Sequence, residues 1–144
     1  MPDLFIGQED GENCGSIVIA ATSLHFHRPV RFYFAGEKGT SSRKLIRKLR
    51  GIDLEAEPKD ISVRYLEKKR WLILWYPPRG KKGKRGDHYV IFVKARKGKY
   101  RIFDSVKQGP EWLTESQLKK VWYRKDRKWP CGWAIEIRDP NSRV

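Results

Sequence analysis

The spacing of apolar residues predicts helices in the first part of the chain. After Asn13 they recur three and four positions apart, at Ile17, Val18, Ala21 and Leu24. That spacing is the period of one helix face. It predicts a helix that begins at Cys14 and ends before Pro29.

Two shorter helices are predicted next. Ser41 and Ser42 are typical N-cap residues, and the apolar positions that follow them end at Gly51. This predicts a second helix over that stretch. A third is predicted after Asp60, with apolar positions at Ile61, Tyr65 and Leu66.

The second half of the chain contains short runs of β-branched and aromatic residues, which are typical of strands. These runs are 71–76, 89–93, 100–103 and 133–137. The run 89–93 is apolar at every position, which predicts a central strand covered on both faces. A fourth helix follows Thr114, with Leu118, Val121 and Trp122 on its apolar side. Helices followed by an antiparallel sheet predict an α+β fold.

The length of 144 residues fits a single domain over 1–144. No apolar run approaches the roughly 20 residues that span a bilayer. The two cysteines, Cys14 and Cys131, are too few for a disulfide scaffold, and the N-terminus does not have the pattern of a signal peptide. We therefore expect a cytoplasmic protein in which Cys131 is structural. No zinc-ligand spacing or phosphate-binding glycine loop is present, so no metal or cofactor is expected.

The net charge of +15 favours anionic partners, either acidic peptides or nucleic acid. A basic, glycine-rich loop (RGKKGKRG) covers 79–86 and ends two residues before His88. Further cations in 43–50 and 119–128 lie near Trp122, Tyr123 and Trp129. Basic residues interleaved with aromatic ones are found on nucleic-acid-binding surfaces, so a basic nucleic-acid-binding module without catalytic activity is an alternative function.

Cys14 is the candidate nucleophile. At the first turn of a helix, the dipole and the unpaired N–H groups stabilise a thiolate, which also needs an imidazole base. The chain has three histidines. His25 and His27 lie about 16 Å or more from Cys14 along the same helix, which is too far for either ring to contact the thiol. This leaves His88, which opens a predicted strand.

Asp104 is the candidate orienting partner of His88, because it ends the next predicted strand. A three-residue turn with Gly98 in the left-handed conformation would pair Ala95 with Lys99. Asp104 would then lie diagonally beside His88 on one face. A two-residue turn would send the two side chains to opposite faces. We therefore expect the three-residue turn.

An oxyanion needs hydrogen-bond donors, and Gln8, six residues before Cys14, is a candidate donor beside the Cys14 backbone N–H. The segments that carry these residues are QEDGENCG, HYVIFV and KGKYRIFD, with LTESQLKKVW after them. Together they resemble the papain-like peptidases that process double-glycine leader peptides. The resemblance implies a papain-like fold and a cysteine peptidase in which Gln8, Cys14, His88 and Asp104 take the family's catalytic roles.

The sequence departs from the family pattern at three positions. Asn13 replaces aspartate, Ser16 replaces proline or a small apolar residue, and Ser105 replaces proline. The family is often fused to a membrane transporter, whereas a stand-alone member is expected here. The same triad also supports deamidation or transglutamination, and an inactive descendant of the fold is a further alternative.

Overall fold

The computed structural model describes residues 14–28, 41–68, 70–77, 88–104, 107 and 109–141. The helices in these ranges are α1 (Cys14–His25), α2 (Ser42–Arg50) and α3 (Glu115–Trp122), with a 3₁₀ helix over Val63–Lys68. The strands are β1 (Glu55–Ile61), β2 (Trp71–Tyr76), β3 (His88–Arg96), β4 (Lys99–Asp104), β5 (Gly109–Thr114) and β6 (Gly132–Arg138). The predicted positions Gln8, Asn13 and Ser105, the basic loop 79–86, and the side chains of Cys14 and Ser16 lie outside the described residues.

Three of the four predicted helices are confirmed as α1, α2 and α3, and local capping explains where two of them begin. The Ser41 hydroxyl accepts a hydrogen bond from the Lys44 backbone N–H at 3.2 Å at the start of α2. Thr114 and Gln117 form a reciprocal capping box at the start of α3. Such side chains satisfy backbone N–H groups that a helix leaves unpaired.

The described strands form one antiparallel sheet in the order β1-β6-β2-β3-β4-β5. The prediction of a central strand at 89–93 is confirmed, because β3 lies between β2 and β4 and its residues from Tyr89 to Phe92 are buried. The strand predicted at 133–137 also exists as β6. It does not lie at an edge, but is inserted between β1 and β2.

Helices cover both faces of the sheet. On one face, Val18 of α1 and Leu45 of α2 share a core with Tyr89 and Ile91. On the other, α3 and the 3₁₀ helix share a second core with Val90. Alternate residues of β3 therefore enter different cores, as the pleat of a strand requires. The predicted α+β class is confirmed.

The two edge strands were not predicted. β1 is mostly polar, β5 is only partly buried, and each contains a proline, Pro58 or Pro110. Proline has no backbone N–H to donate to the ladder, so it is found at edges. The third predicted helix was partly wrong, because Ile61 belongs to β1 and the helix over Val63–Lys68 is a 3₁₀ helix.

One buried carboxylate connects the 3₁₀ helix to the sheet. Glu136 of β6 is 1% exposed. It lies 3.0 Å from the Lys59 ammonium and accepts a hydrogen bond from the Tyr65 hydroxyl. Burial opposes its ionisation, but the hydrogen bonds from Tyr65 and Lys59 outweigh burial and lower its pKa. The buried charge is therefore compensated from two neighbouring elements.

The turn between β3 and β4 corrects a prediction. Arg96 pairs with Lys99, so the turn contains two residues, Lys97 and Gly98, with φ angles of 50° and 76°. Two positive φ values are typical of a type I′ hairpin turn, which matches the twist of the strands it joins. The prediction of a three-residue turn was therefore wrong.

Candidate active site

His88 and Asp104 lie beside each other at one end of the sheet. His88 is the first residue of β3 and Asp104 is the last residue of β4. The His88 Nε2 atom lies 2.9 Å from the Asp104 Oδ1 atom, a distance at which an imidazole N–H donates to a carboxylate. Asp104 is 5% exposed, so little water competes for this hydrogen bond.

A β-bulge, rather than the turn, brings these two side chains to one face. The register of β3 on β4 shifts by one residue between Phe92 and Lys94. If the pairing of Ile91 with Phe103 continues to the end of the strands, Asp104 lies opposite Val90. Val90 is two positions from His88, so Asp104 and His88 lie on the same face. A third residue in the turn would have shifted the register of β3 on β4 by one position. The bulge produces this shift instead.

Tyr76 is a third member of this site that the sequence analysis did not identify. It ends β2 and pairs directly with His88, and the two ring centroids are 5.8 Å apart. Burial raises the pKa of Tyr76, and the negative charges of Asp104 and Glu111 raise it further. The hydroxyl therefore stays protonated at neutral pH. Antiparallel pairing of the two predicted strands was the signal that could have identified it.

Cys14 is the first residue of α1, and the other end of this helix is held at the start of β2. The His25 ring stacks on Trp71 with centroids 4.0 Å apart, and the Trp71 indole N–H donates to the Thr22 hydroxyl at 3.0 Å. His25 thus lies at the end of β2 opposite to Tyr76. Burial, followed by the charge of His27, lowers the pKa of His25.

The second cysteine and the three aromatic residues of the predicted nucleic-acid-binding surface differ in their burial. Cys131 is fully buried as a free thiol, and burial raises its pKa. Trp122 is fully buried, and its indole N–H donates to the Trp133 carbonyl at 2.9 Å. The hydroxyl of Tyr123 accepts a hydrogen bond from the Val63 N–H at 3.0 Å, whereas Trp129 is 48% exposed. A buried Trp122 cannot stack on a base, so the predicted basic and aromatic surface loses one of its three rings.

Within the described ranges, no three His, Cys, Asp or Glu side chains are grouped so that they could hold a metal ion. Among the described residues, no helix combines the length and the apolar character needed to cross a membrane.

The sequence profile of the peptidase C39 family matches residues 4–125. The chain belongs to the peptidase C39 family. This confirms the resemblance on which the fold and activity were predicted, and the chain is a cysteine peptidase of the papain-like class. No significant match is found among curated protein sequences.

Solved structures of similar fold are peptidase domains. The peptidase domain of Streptococcus ComA, a bifunctional ABC transporter, has a TM-score of 0.70 and 16% identity over 92% of this chain and 95% of its own. A double-glycine motif protease from an AMS/PCAT transporter, solved with its leader peptide, has a TM-score of 0.66 and 15% identity, covering 93% of this chain and 89% of its own. At these identities the likeness shows the fold.

Proposed function

We propose that this cysteine peptidase acts through Cys14 as nucleophile, His88 as general base and acid, and Asp104 as the group that orients His88. Gln8 and the Cys14 backbone N–H are the proposed oxyanion donors. The observation that carries the proposal is the 2.9 Å contact between His88 Nε2 and the buried Asp104 carboxylate. A carboxylate that accepts from one ring nitrogen fixes the tautomer and the orientation of the imidazole.

The direction of α1 supports a place for Cys14 at the end of the sheet that carries His88. Trp71 and Tyr76 lie at opposite ends of β2, about 17 Å apart at 3.3 Å per residue. The helix from His25 back to Cys14 is about 16 Å long. Because α1 packs along β3 with His25 held at Trp71, its N-terminus points toward the end of the sheet that carries His88.

In the proposed reaction, His88 Nδ1 takes the Cys14 proton and the thiolate attacks the peptide carbonyl carbon. The carbonyl oxygen becomes an oxyanion, held by Gln8 and the Cys14 N–H. Collapse of this intermediate breaks the C–N bond. His88 protonates the leaving amine, and a thioester remains on Cys14. Water, deprotonated by His88, then hydrolyses the thioester and restores the thiol. Asp104 stabilises the imidazolium in each half of the cycle.

We propose a peptide with a double-glycine motif as the substrate. Support comes from membership of the peptidase C39 family and from the similar fold of a double-glycine motif protease solved with its leader peptide. The mechanism needs a reduced thiol, so a reducing cytoplasm is the proposed compartment.

The pH dependence of iodoacetamide labelling, read by peptide mass spectrometry, tests the thiolate. We expect Cys14 to label rapidly near pH 6, well below the ordinary thiol pKa of about 8.5, and His88→Ala to abolish this. His27→Ala is the matched control, because His27 is an exposed histidine that should leave labelling unchanged. The buried thiol of Cys131 is the internal reference. Equal labelling of Cys14 in wild type and His88→Ala would refute the proposed pair.

A synthetic peptide with a central Gly-Gly pair, and its Ala-Ala counterpart, tests the reaction. We expect cleavage of the first peptide, and none of it in Cys14→Ala. A glutamine-containing peptide that gains the mass of deamidation, or couples to an added amine, without cleavage would instead indicate a deamidase or transglutaminase.

A further inference from the structure

A cationic surface lies on the β3–β4 hairpin and the adjacent strand β5, away from the end that carries His88. It consists of five cations and one tryptophan: Lys94, Arg96, Lys97, Lys99, Arg101 and Trp112. We call these six residues the hairpin surface. Arg96, Lys97, Lys99 and Trp112 line a cavity of about 360 Å³.

Sheet register places these side chains in two rows on one face. In the first row Lys94 pairs with Arg101, and Arg101 pairs with Trp112. In the second row Arg96 pairs with Lys99. Directly paired residues point to the same side, as do residues two positions apart on a strand. The face therefore presents four positive charges at spacings set by the backbone.

Both cation pairs bring like charges directly opposite each other, which destabilises a sheet. In the part of the chain that the structure describes, none of the five cations forms an ion pair with an acid. The acid of β5, Glu111, pairs with Lys107 instead. The Arg101 Nε atom is buried without a hydrogen-bond partner among the described residues. A bound anion would neutralise this repulsion.

Trp112 adds an apolar wall to the cationic rows. It is 40% exposed, and the Lys94 Nζ and Arg101 Cζ atoms each lie 5.7 Å from its ring centroid. An exposed ring among cations suits a ligand that alternates carboxylates with apolar groups, because the ring packs against the apolar groups while the cations pair with the acids.

We propose that the hairpin surface binds an acidic segment of the peptide substrate, remote from the bond that is cleaved. The class of the ligand, a peptide, rests on the proposed peptidase function. Arg101 lies three residues from Asp104 along β4 and Lys99 lies five, which is about 10 and 17 Å. Both separations are odd, so these cations lie on the opposite face of the sheet from Asp104. One extended peptide reaches both places by passing around the β5 edge, which takes more than the roughly three to five residues of the direct distance.

Binding of fluorescein-labelled octaglutamate to the full chain, followed by anisotropy at about 50 mM salt, tests the ligand class. We expect the double variant Arg96→Gln/Lys99→Gln to weaken binding about fivefold or more. The matched control is Arg43→Gln/Lys44→Gln. It removes the same charge from exposed positions of α2, and less than about a twofold change is expected from the lost net charge alone. Equal weakening by the two double variants would overturn the proposal.

Labelled octathymidylate and vesicles of phosphatidylcholine with phosphatidylglycerol are the competing ligands. If either loses more affinity than octaglutamate in Arg96→Gln/Lys99→Gln, the surface recognises phosphates and the peptide proposal is wrong. Thermal unfolding separates binding from a structural role. Removing a like-charge pair should leave the unfolding temperature unchanged or raise it at low salt, and a lower temperature would contradict the reasoning.

Failure of this proposal is distinguishable from failure of the proposed function. Iodoacetamide labelling of Cys14 should be the same in Arg96→Gln/Lys99→Gln as in wild type, because these residues are remote from the site. Loss of octaglutamate binding with normal Cys14 labelling supports the hairpin surface. Unaltered octaglutamate binding with normal Cys14 labelling overturns it and leaves the triad intact.

Discussion

Removal of the Asp104 carboxylate tests the triad quantitatively. The hydrogen bond to His88 is 2.9 Å long and the Asp104 side chain is buried. A hydrogen bond to a charged group contributes roughly 1.5–3 kcal/mol, and each 1.4 kcal/mol corresponds to a factor of ten. Without it the imidazolium of His88, and the thiolate that it stabilises, are less populated. Asp104→Ala should therefore slow carboxymethylation of Cys14 near pH 6 by about 10- to 150-fold.

Asp104→Asn separates the charge of this residue from its hydrogen bond. Asparagine still accepts from the His88 N–H, but neutral hydrogen bonds are about half as strong as charged ones. The variant should lose about 1 kcal/mol, or roughly fivefold in rate. We therefore expect the rate of Cys14 labelling to decrease from wild type to Asp104→Asn to Asp104→Ala. The pH midpoint of labelling should rise in the same order.

Glu111→Gln is the matched control. Like Asp104, Glu111 raises the pKa of Tyr76 through its charge, but its own carboxylate pairs with Lys107. Its removal should change Cys14 labelling by less than about twofold. The reasoning would be refuted if Asp104→Ala labelled at the wild-type rate while its unfolding curve was unchanged. It would equally be refuted if Glu111→Gln matched Asp104→Ala.

Three further predictions concern stability and are measured by urea unfolding. Glu136→Gln should lower the free energy of unfolding by about 2–3 kcal/mol at neutral pH, because it removes the buried charge that Lys59 and Tyr65 compensate. The pKa of Glu136 is lowered from its ordinary value of 4.5, so its contribution is present above that pH and is lost as the pH falls through the lowered pKa. The difference between wild type and variant should therefore shrink as the pH falls below 4.5, and a constant difference would contradict this. Gly132→Ala should cost about 1–3 kcal/mol or more, because an added Cβ would lie 2.1 Å from the Trp122 ring. A neutral result would show that Trp122 can move. Thr114→Ala should cost about 1 kcal/mol by removing the α3 capping box, with no effect on Cys14 labelling.

The sequence predicted the helices well because their signals are local. Cap residues Ser41 and Thr114 and apolar residues at helical spacing lie within a few positions of the helices that they specify. The apolar strand over β3 was equally clear. The edge strands β1 and β5 were missed because their side chains are largely exposed or half exposed and each strand contains a proline, so neither shows the apolar run that marked the other strands.

In the candidate site, too, the local features could be predicted from the sequence and the contacts between strands could not. The order of His88 and Asp104 at the ends of adjacent strands could be predicted, and their hydrogen bond is present in the structure. The turn prediction was wrong, and the two side chains still share a face because of the bulge near Phe92. Tyr76 was missed because its neighbourhood depends on the pairing of β2 with β3.

The sequence by itself therefore determined the α+β class, the helix that begins at Cys14, and the strands that carry His88 and Asp104. Capping, hydrophobic period and strand propensity are properties of a few neighbouring residues. Only the tertiary structure decided the insertion of β6 between β1 and β2, the bulge in β3 and the two cationic rows on the hairpin. Sheet order and register depend on contacts between residues distant in the chain. A register shift of one residue exchanges the two faces of a strand, and the local sequence pattern does not reveal it.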